Sequence, residues 1–270
     1  MDHLQEHIKA LIALRKVEGH SGDDQLVVLL PTLQDYGILH KLEAIVSDNA
    51  STNDTLCRAM EKHLLNEGSL KWDAKQWRIH CTGHIINLAV QAFLFQNILD
   101  IEELESYDKK EKNGEKGDDE EKRAKFRLMG PLGQLHNIIV HIHGSPRRID
   151  AFLEIAGRMI PLDNRTRWNS WYLMLVIALD YKAAIDSYVE DHPDLEDDGL
   201  SRQDWTRLRT IKEFLAPFHQ ATLETQGDNA SIDKVLFTMD VLILWFEKSL
   251  VSKSYFKLKN SNYCIGPTCF

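Results

Sequence analysis

A small α/β layer followed by a mostly helical region is the fold class that this 270-residue chain predicts, and three observations predict it. Short apolar runs that stop at polar turns alternate with helix-spaced segments over residues 1–99, the pattern of strands paired in parallel through helical crossovers. An acidic, aperiodic stretch then interrupts the chain. Beyond it, apolar residues recur at three- and four-residue spacing almost throughout, as in helices with one buried face. With 43% hydrophobic residues the chain can fill two structural units.

Lys9 to Val17 is short, apolar and ends near Gly19, consistent with a buried strand, a helix being the competing reading. Ser21 to Gly37 reads as a turn and a helix with Leu26, Val27, Leu29, Leu30 and Leu33 on its apolar face; Pro31 falls inside that pattern and argues against its continuity. Leu42 to Val46, broken only by Glu43, is a strand that ends in Asp48 and a polar turn. A helix follows, with Ser51 or Thr52 as N-cap and Leu56, Met60, His63 and Leu64 at helical spacing. Asp48 therefore stands at a strand-to-helix junction near a positive helix end. Trp77 to Cys81 is a further strand, and Gly83 to Gln96 a strongly apolar helix.

Between Asp100 and Arg123, eleven acidic and six basic residues without periodicity read as a solvated, disordered loop. The segments Phe126 to His143, Pro146 to Gly157, Trp168 to Val189, Ser201 to Pro217 and Ser231 to Leu250 then read as helices, with Asp191 to Gly199 as a second acidic loop. The resulting division is a partial α/β core over 1–99, an acidic loop over 100–123, a helical region over 124–250 and an irregular tail over 251–270.

Composition narrows the function classes. The longest apolar stretch, Ile85 to Phe95, is interrupted by Asn87 and Gln91 and is too short to span a bilayer, so no membrane role is expected. Met1 to His7 lacks a secretory signal, and Cys57, Cys81, Cys264 and Cys269 make no disulfide framework; both point to a reducing, intracellular compartment. A net charge of −9 opposes nucleic-acid binding, but the 100–123 segment carries −5 of it, and a weakly acidic body can hold a local basic face. The chain has no Gly-rich phosphate loop, no Gly-x-Ser-x-Gly elbow and no nucleophilic Cys signature, against ordinary kinase and hydrolase readings.

Asp48 is the strongest candidate for a metal-binding carboxylate, set against the plain role of a turn or capping residue. Metal-assisted phosphodiester chemistry needs several carboxylates converging on hard cations. Cys81 and His84, spaced as Cys-x-x-His, form half of a zinc set that lacks a matching second pair, so a structural role is expected: a buried thiol under the sheet and an imidazole at a helix start. Arg165 and Arg167 precede Trp168 at the opening of a helix; a guanidinium beside an indole suits phosphate contact and base stacking if the indole sits at an exposed edge. A buried core position is the plainer reading for Trp168 and Trp171. Arg147 and Arg148 form a smaller basic spot.

Taken together, Val46-Ser47-Asp48-Asn49-Ala50-Ser51-Thr52-Asn53, Arg78-Ile79-His80-Cys81-Thr82-Gly83-His84-Ile85-Ile86-Asn87-Leu88 and Thr166-Arg167-Trp168-Asn169-Ser170-Trp171-Tyr172-Leu173-Met174-Leu175 resemble, in content, order and spacing, the transposases of the hAT superfamily, in particular its fungal members. The resemblance covers roughly residues 8 to 250. It implies an incomplete ribonuclease-H-like sheet followed by an all-helical insertion, a nuclear location, and transposon DNA and related transposase chains as partners. It also implies Mg²⁺ or Mn²⁺ as the parent cofactor, held by three acidic residues. Asp48 resembles the second of these, Cys81 and His84 match the Cys-x-x-His motif near the catalytic core, and Trp168, with Arg167, resembles the site that handles the DNA hairpin.

The first acidic residue of the family lies on an earlier strand, and the last follows the helical insertion. The expectation is therefore a truncated transposase-derived protein that keeps one carboxylate of three, holds no metal tightly, is catalytically inactive and retains residual DNA binding. The alternative is a protein-interaction module derived from the helical insertion. An active metal-dependent nuclease would need carboxylates beyond Asp48, and Asp150, Glu154 and Asp163 lie in helical or loop contexts.

Overall fold

The computed structural model describes residues 14–67, 71–95, 119–164, 167–226 and 232–251. Residues 9–13 of the first predicted strand, most of the acidic loop (100–118), Arg165, Thr166 and the tail from 252 onward, with Cys264 and Cys269, lie outside the described residues. The chain divides between Ile85 and Ile86 into two compact units.

The first unit opens with helix α1, Gly22–Asp35. Ser21 caps it reciprocally: Ser21 Oγ accepts from the Asp24 N–H at 3.1 Å, and Asp24 Oδ2 accepts from the Ser21 N–H at 3.0 Å. Pro31 does not interrupt the helix. Strand β1, Ile45–Ser47, follows a 3-10 turn at Leu39–Lys41 and is shorter than the predicted Leu42 to Val46. Helix α2, Ser51–Asn66, packs on α1 so closely that a Cβ on Gly22 would lie 2.1 Å from the Leu56 nitrogen. A short helix α3, Ala74–Trp77, leads into strand β2, Arg78–His80.

β1 and β2 pair in parallel, with Ile45 opposite Arg78 and Ser47 opposite His80. Among the described residues this is the one sheet, and the chain is otherwise predominantly helical. The strand predicted at Lys9 to Val17 is not formed by its described part: residues 14–17 have no regular structure, and Leu14 is 93% exposed. Leu33, Cys57, Met60, Leu64, Trp72 and Ala74 make the core, and the Trp72 indole donates to the Glu43 carbonyl at 2.9 Å.

Helix α4, Thr82–Phe95, carries the chain past the boundary. The second unit continues with α5, Asp119–Arg127, α6, Pro131–His143, and α7, Pro146–Ala156. α5 begins inside the segment whose composition reads as loop. α7 has Ser145 as N-cap, proline at its first position and Gly157 at φ +68° as its left-handed C-cap, the arrangement its sequence predicts.

The predicted single helix from Trp168 to Val189 is two, α8, Trp168–Asp180, and α9, Lys182–Glu190, broken at Tyr181. Helix α10, Arg202–Gln226, runs through Pro217 rather than ending there, because Phe214, Leu215, Phe218 and Ala221 anchor both sides of the proline in the core. The last helix, α11, Ile232–Val251, packs along α10. The core gathers Phe126, Phe152, Trp168, Trp171, Tyr188 and Phe214. No described helix is long and apolar enough to cross a membrane.

Candidate functional site

β1 delivers Asp48 to the start of α2, and the carboxylate closes the turn. Asp48 Oδ1 accepts from the Ala50 N–H at 3.0 Å and from Asn53 Nδ2 at 2.6 Å. This is the local hydrogen bonding that makes Asp a turn former. The expected N-cap at Ser51 or Thr52 is displaced by it: Ala50 is the N-cap residue, with no side-chain cap of its own, and Ser51 and Thr52 lie in the first turn.

A second layer comes from β2. Arg78, only 9% exposed, donates from Nη2 to the Asp48 carbonyl at 2.9 Å and places Nε 3.1 Å from Asp54 Oδ1. Its Nη1 lies 2.7 and 2.9 Å from the two ring nitrogens of His80. His80 Nδ1 is 2.7 Å from Asn49 Oδ1, an acceptor, so the proton sits on Nδ1 and Nε2 accepts from Arg78. Parallel pairing thus lets β2 pin both residues of the Asp48-Asn49 turn. Arg78 and His80 also line a cleft of about 590 Å³ with Asp54, Cys57, Glu61 and Asp73, and Asp48 is not part of its wall.

The donor set does not fit a catalytic divalent metal. Mg²⁺ takes oxygen ligands in near-octahedral geometry. Asp48 Oδ1 already serves two protein donors, and no three His, Cys, Asp or Glu side chains among the described residues are grouped to hold an ion.

Cys81 extends the strand pairing by one residue, its N–H donating to the Ser47 carbonyl at 2.8 Å. Its own carbonyl accepts from the N–H groups of His84 and Ile85 at 3.0 and 3.1 Å, so the Cys-x-x-His spacing is the first turn of α4. The expected buried thiol is not Cys81, which is half-buried, but Cys57, wholly enclosed in the core of the first unit. Burial pushes the Cys57 thiol up, and Arg78 only partly opposes it.

Arg167 and Trp168 separate in environment. Arg167 is the exposed N-cap residue of α8. Trp168 is 1% exposed and does not sit at the expected exposed edge. Its backbone N–H donates to Asn87 Oδ1 at 3.1 Å, and its ring packs against Tyr172 and, edge-on, His219. An indole opening a strongly apolar helix is drawn into the core with Trp171. Arg148 reaches 3.8 Å from Asp194, and Arg147 stays exposed.

The second unit holds two buried charge clusters that sequence reasoning missed. Asp198, in the segment read as an acidic loop, is completely buried at the end of a 3-10 helix, Pro193–Asp198. Arg123 reaches its Oδ2 at 2.5 Å, Arg127 its Oδ1 at 2.9 Å and Asn137 its Oδ1 at 2.8 Å. Burial pushes the carboxyl up, but these three partners outweigh it and hold Asp198 below the usual carboxylate range. One signal was available: Leu195 and Asp198 are three apart, and a 3-10 helix turns such residues to one side. In the other cluster His136 Nδ1 lies 2.6 Å from Asp163 Oδ1, with its ring between Phe126 and Trp171. Asp163, one of the spare carboxylates, is thereby engaged.

Comparison with known proteins follows this geometry. The family of the ZBED1 RNase-like helical domain matches residues 79–214, from β2 into α10. The chain is 26% identical over 237 residues to tpeD of Talaromyces stipitatus, named as a transcriptional regulator, covering 85% of this chain and 27% of that protein. It is 26% identical over 204 residues to the zinc finger BED domain-containing protein RICESLEEPER 2 of Oryza sativa subsp. japonica, covering 73% of this chain and 24% of that one. A Zea mays protein named as an AC transposase is 23% identical over 239 residues, 85% of this chain and 26% of its own. The chain thus spans about a quarter of the length of these relatives. No solved structure matches it.

Proposed function

The chain belongs to the family of the ZBED1 RNase-like helical domain, among hAT-type transposase-like proteins, and from that premise we propose that it is a transposase-derived, DNA-binding protein that cuts no strand on its own. In this reading β1 and β2 are part of a ribonuclease-H-like sheet, Asp48 is its one remaining metal carboxylate, and the protein works in the nucleus on transposon-type DNA ends. The observation that carries it is the Asp48 turn: a carboxylate at the end of a parallel strand, braced by Arg78 and His80, without companion ligands among the described residues. A single carboxylate leaves most of the Mg²⁺ or Mn²⁺ shell to water and cannot align attacking and leaving oxygens. Arg167 supplies an exposed cation for phosphate contact at the N-terminus of α8.

The test is a mobility-shift and cleavage assay on labelled duplex and hairpin DNA, from about 50 to 200 mM salt, with and without Mg²⁺ or Mn²⁺. The expected result is binding that weakens as salt rises, and no cleavage. Metal-dependent cleavage lost in Asp48→Ala would overturn the inactive reading. Failure to bind DNA at any salt would overturn the binding reading.

A further inference from the structure

α11 presents two different faces. Towards α10 it buries Thr238, Leu242 and Ser249, lays Trp245 and Phe246 against the core, and bonds the Trp245 indole to the Phe214 carbonyl at 3.2 Å. On its other side Leu236, Phe237, Val241, Ile243 and Leu244 are between 43% and 70% exposed. A scattered exposed Leu needs no account, but five large apolar residues within nine positions of one helix form a patch.

The spacing gives the patch a direction. Phe237, Val241, Leu244 and Lys248 follow at four, three and four residues, the period of a helix-pairing seam. One shoulder of that seam is acidic, with exposed Asp240 and Glu247 directly before Val241 and Lys248. The other shoulder, Thr238 and Trp245, is turned into the protein's own core.

A second copy is a poor occupant. An antiparallel pair would set Asp240 and Glu247 against the same acidic row, and a parallel pair would set them against the enclosed Thr238 and Trp245. Charge complementarity asks for the opposite sign. We propose that this face of α11 docks an amphipathic helix of another protein, one whose apolar seam is flanked by Lys or Arg. The inference rests on α11 alone and is independent of the DNA-binding reading.

The test uses two synthetic helical peptides of about four heptads with the same Leu seam, one flanked by Lys and one by Glu, titrated against the full chain by fluorescence anisotropy. The Lys-flanked peptide is expected to bind about tenfold more tightly or better, and less tightly as salt rises. Leu244→Asp should abolish its binding; because that change adds negative charge, general attraction of a basic peptide to an acidic protein would instead grow. Asp240→Lys combined with Glu247→Lys should reverse the preference between the peptides, with circular dichroism showing that both variants keep their helix content. Equal binding of the two peptides, binding of neither, or sedimentation showing self-association that Leu244→Asp removes would each overturn the proposal.

Discussion

Arg78 donates from Nη2 to the carbonyl oxygen of Asp48, 2.9 Å away and thirty residues earlier in the chain. The same guanidinium holds His80 and faces Asp54, so the turn that carries Asp48 is fixed from the neighbouring strand as well as from its own helix. Arg78→Ala is expected to destabilise the first unit by about 1–3 kcal/mol, the cost of stranding buried polar partners. Arg78→Lys should recover little, because an ammonium cannot serve the Asp48 carbonyl, His80 and Asp54 from one planar fork. Urea unfolding of both variants measures this.

Asp198 is the anchor of the helical unit. Asp198→Asn at neutral pH leaves Arg123 and Arg127 without their buried counter-charge and is expected to cost about 3–5 kcal/mol. The sign with pH follows from the folded carboxyl lying below its ordinary value of 3.8. Its contribution is complete above that ordinary value and is lost as the pH falls through the folded-state value. Burial also lowers His141, with Asp194 opposing it, so this imidazole stays neutral in the folded protein and stability begins to decline as the pH falls through its ordinary 6.5. Thermal melts across pH 2 to 8 should show both declines, the acid one blunted in Asp198→Asn.

Arg167 and Trp168 should respond differently to removal. Trp168→Ala empties a fully enclosed core position and is expected to cost about 3–5 kcal/mol, so lost DNA binding in that variant would report folding. Arg167→Ala is expected to change stability by less than about 0.5 kcal/mol and to weaken DNA binding with a shallower salt slope. Melting temperatures and mobility shifts on the same preparations distinguish the two.

The two described thiols differ in access. Cys57 is wholly buried with its thiol pushed up, whereas Cys81 is half-buried. Iodoacetamide on the folded protein, followed by peptide mass spectrometry, should label Cys81 and leave Cys57 unmodified until denaturant is added.

What could be read from the sequence was what local chemistry decides. Ser21 with Asp24, and Ser145, Pro146 and Gly157, announced the ends of α1 and α7 because each group bonds or constrains its own neighbours. Asp48 at a strand-to-helix turn was legible for the same reason, though not its bracing by Arg78. The burial of Asp198 was not legible, since its partners Arg123 and Arg127 lie 75 and 71 residues away in a helix whose composition resembles a loop. Tyr181 breaks a helix without glycine or proline to announce it, and Pro217 fails to break one because packing on both sides overrides its local cost. Trp168 was placed at an edge by its arginine neighbours, whereas the apolar face of α8 decides its position.

The parallel ladder between β1 and β2 bears on timing. Bringing strands together across roughly thirty residues costs on the order of 3 kcal/mol of chain entropy. Each of the few hydrogen bonds in so short a ladder returns only about 1 kcal/mol. The ladder therefore cannot nucleate the first unit. Docking of α2 on α1, at the spacing Gly22 permits, has to shorten the effective loop beforehand. The Asp48 turn is thus assembled late in the folding of its unit, and on heating the strand pair is the part that parts early, giving its amides faster hydrogen exchange than those of α2.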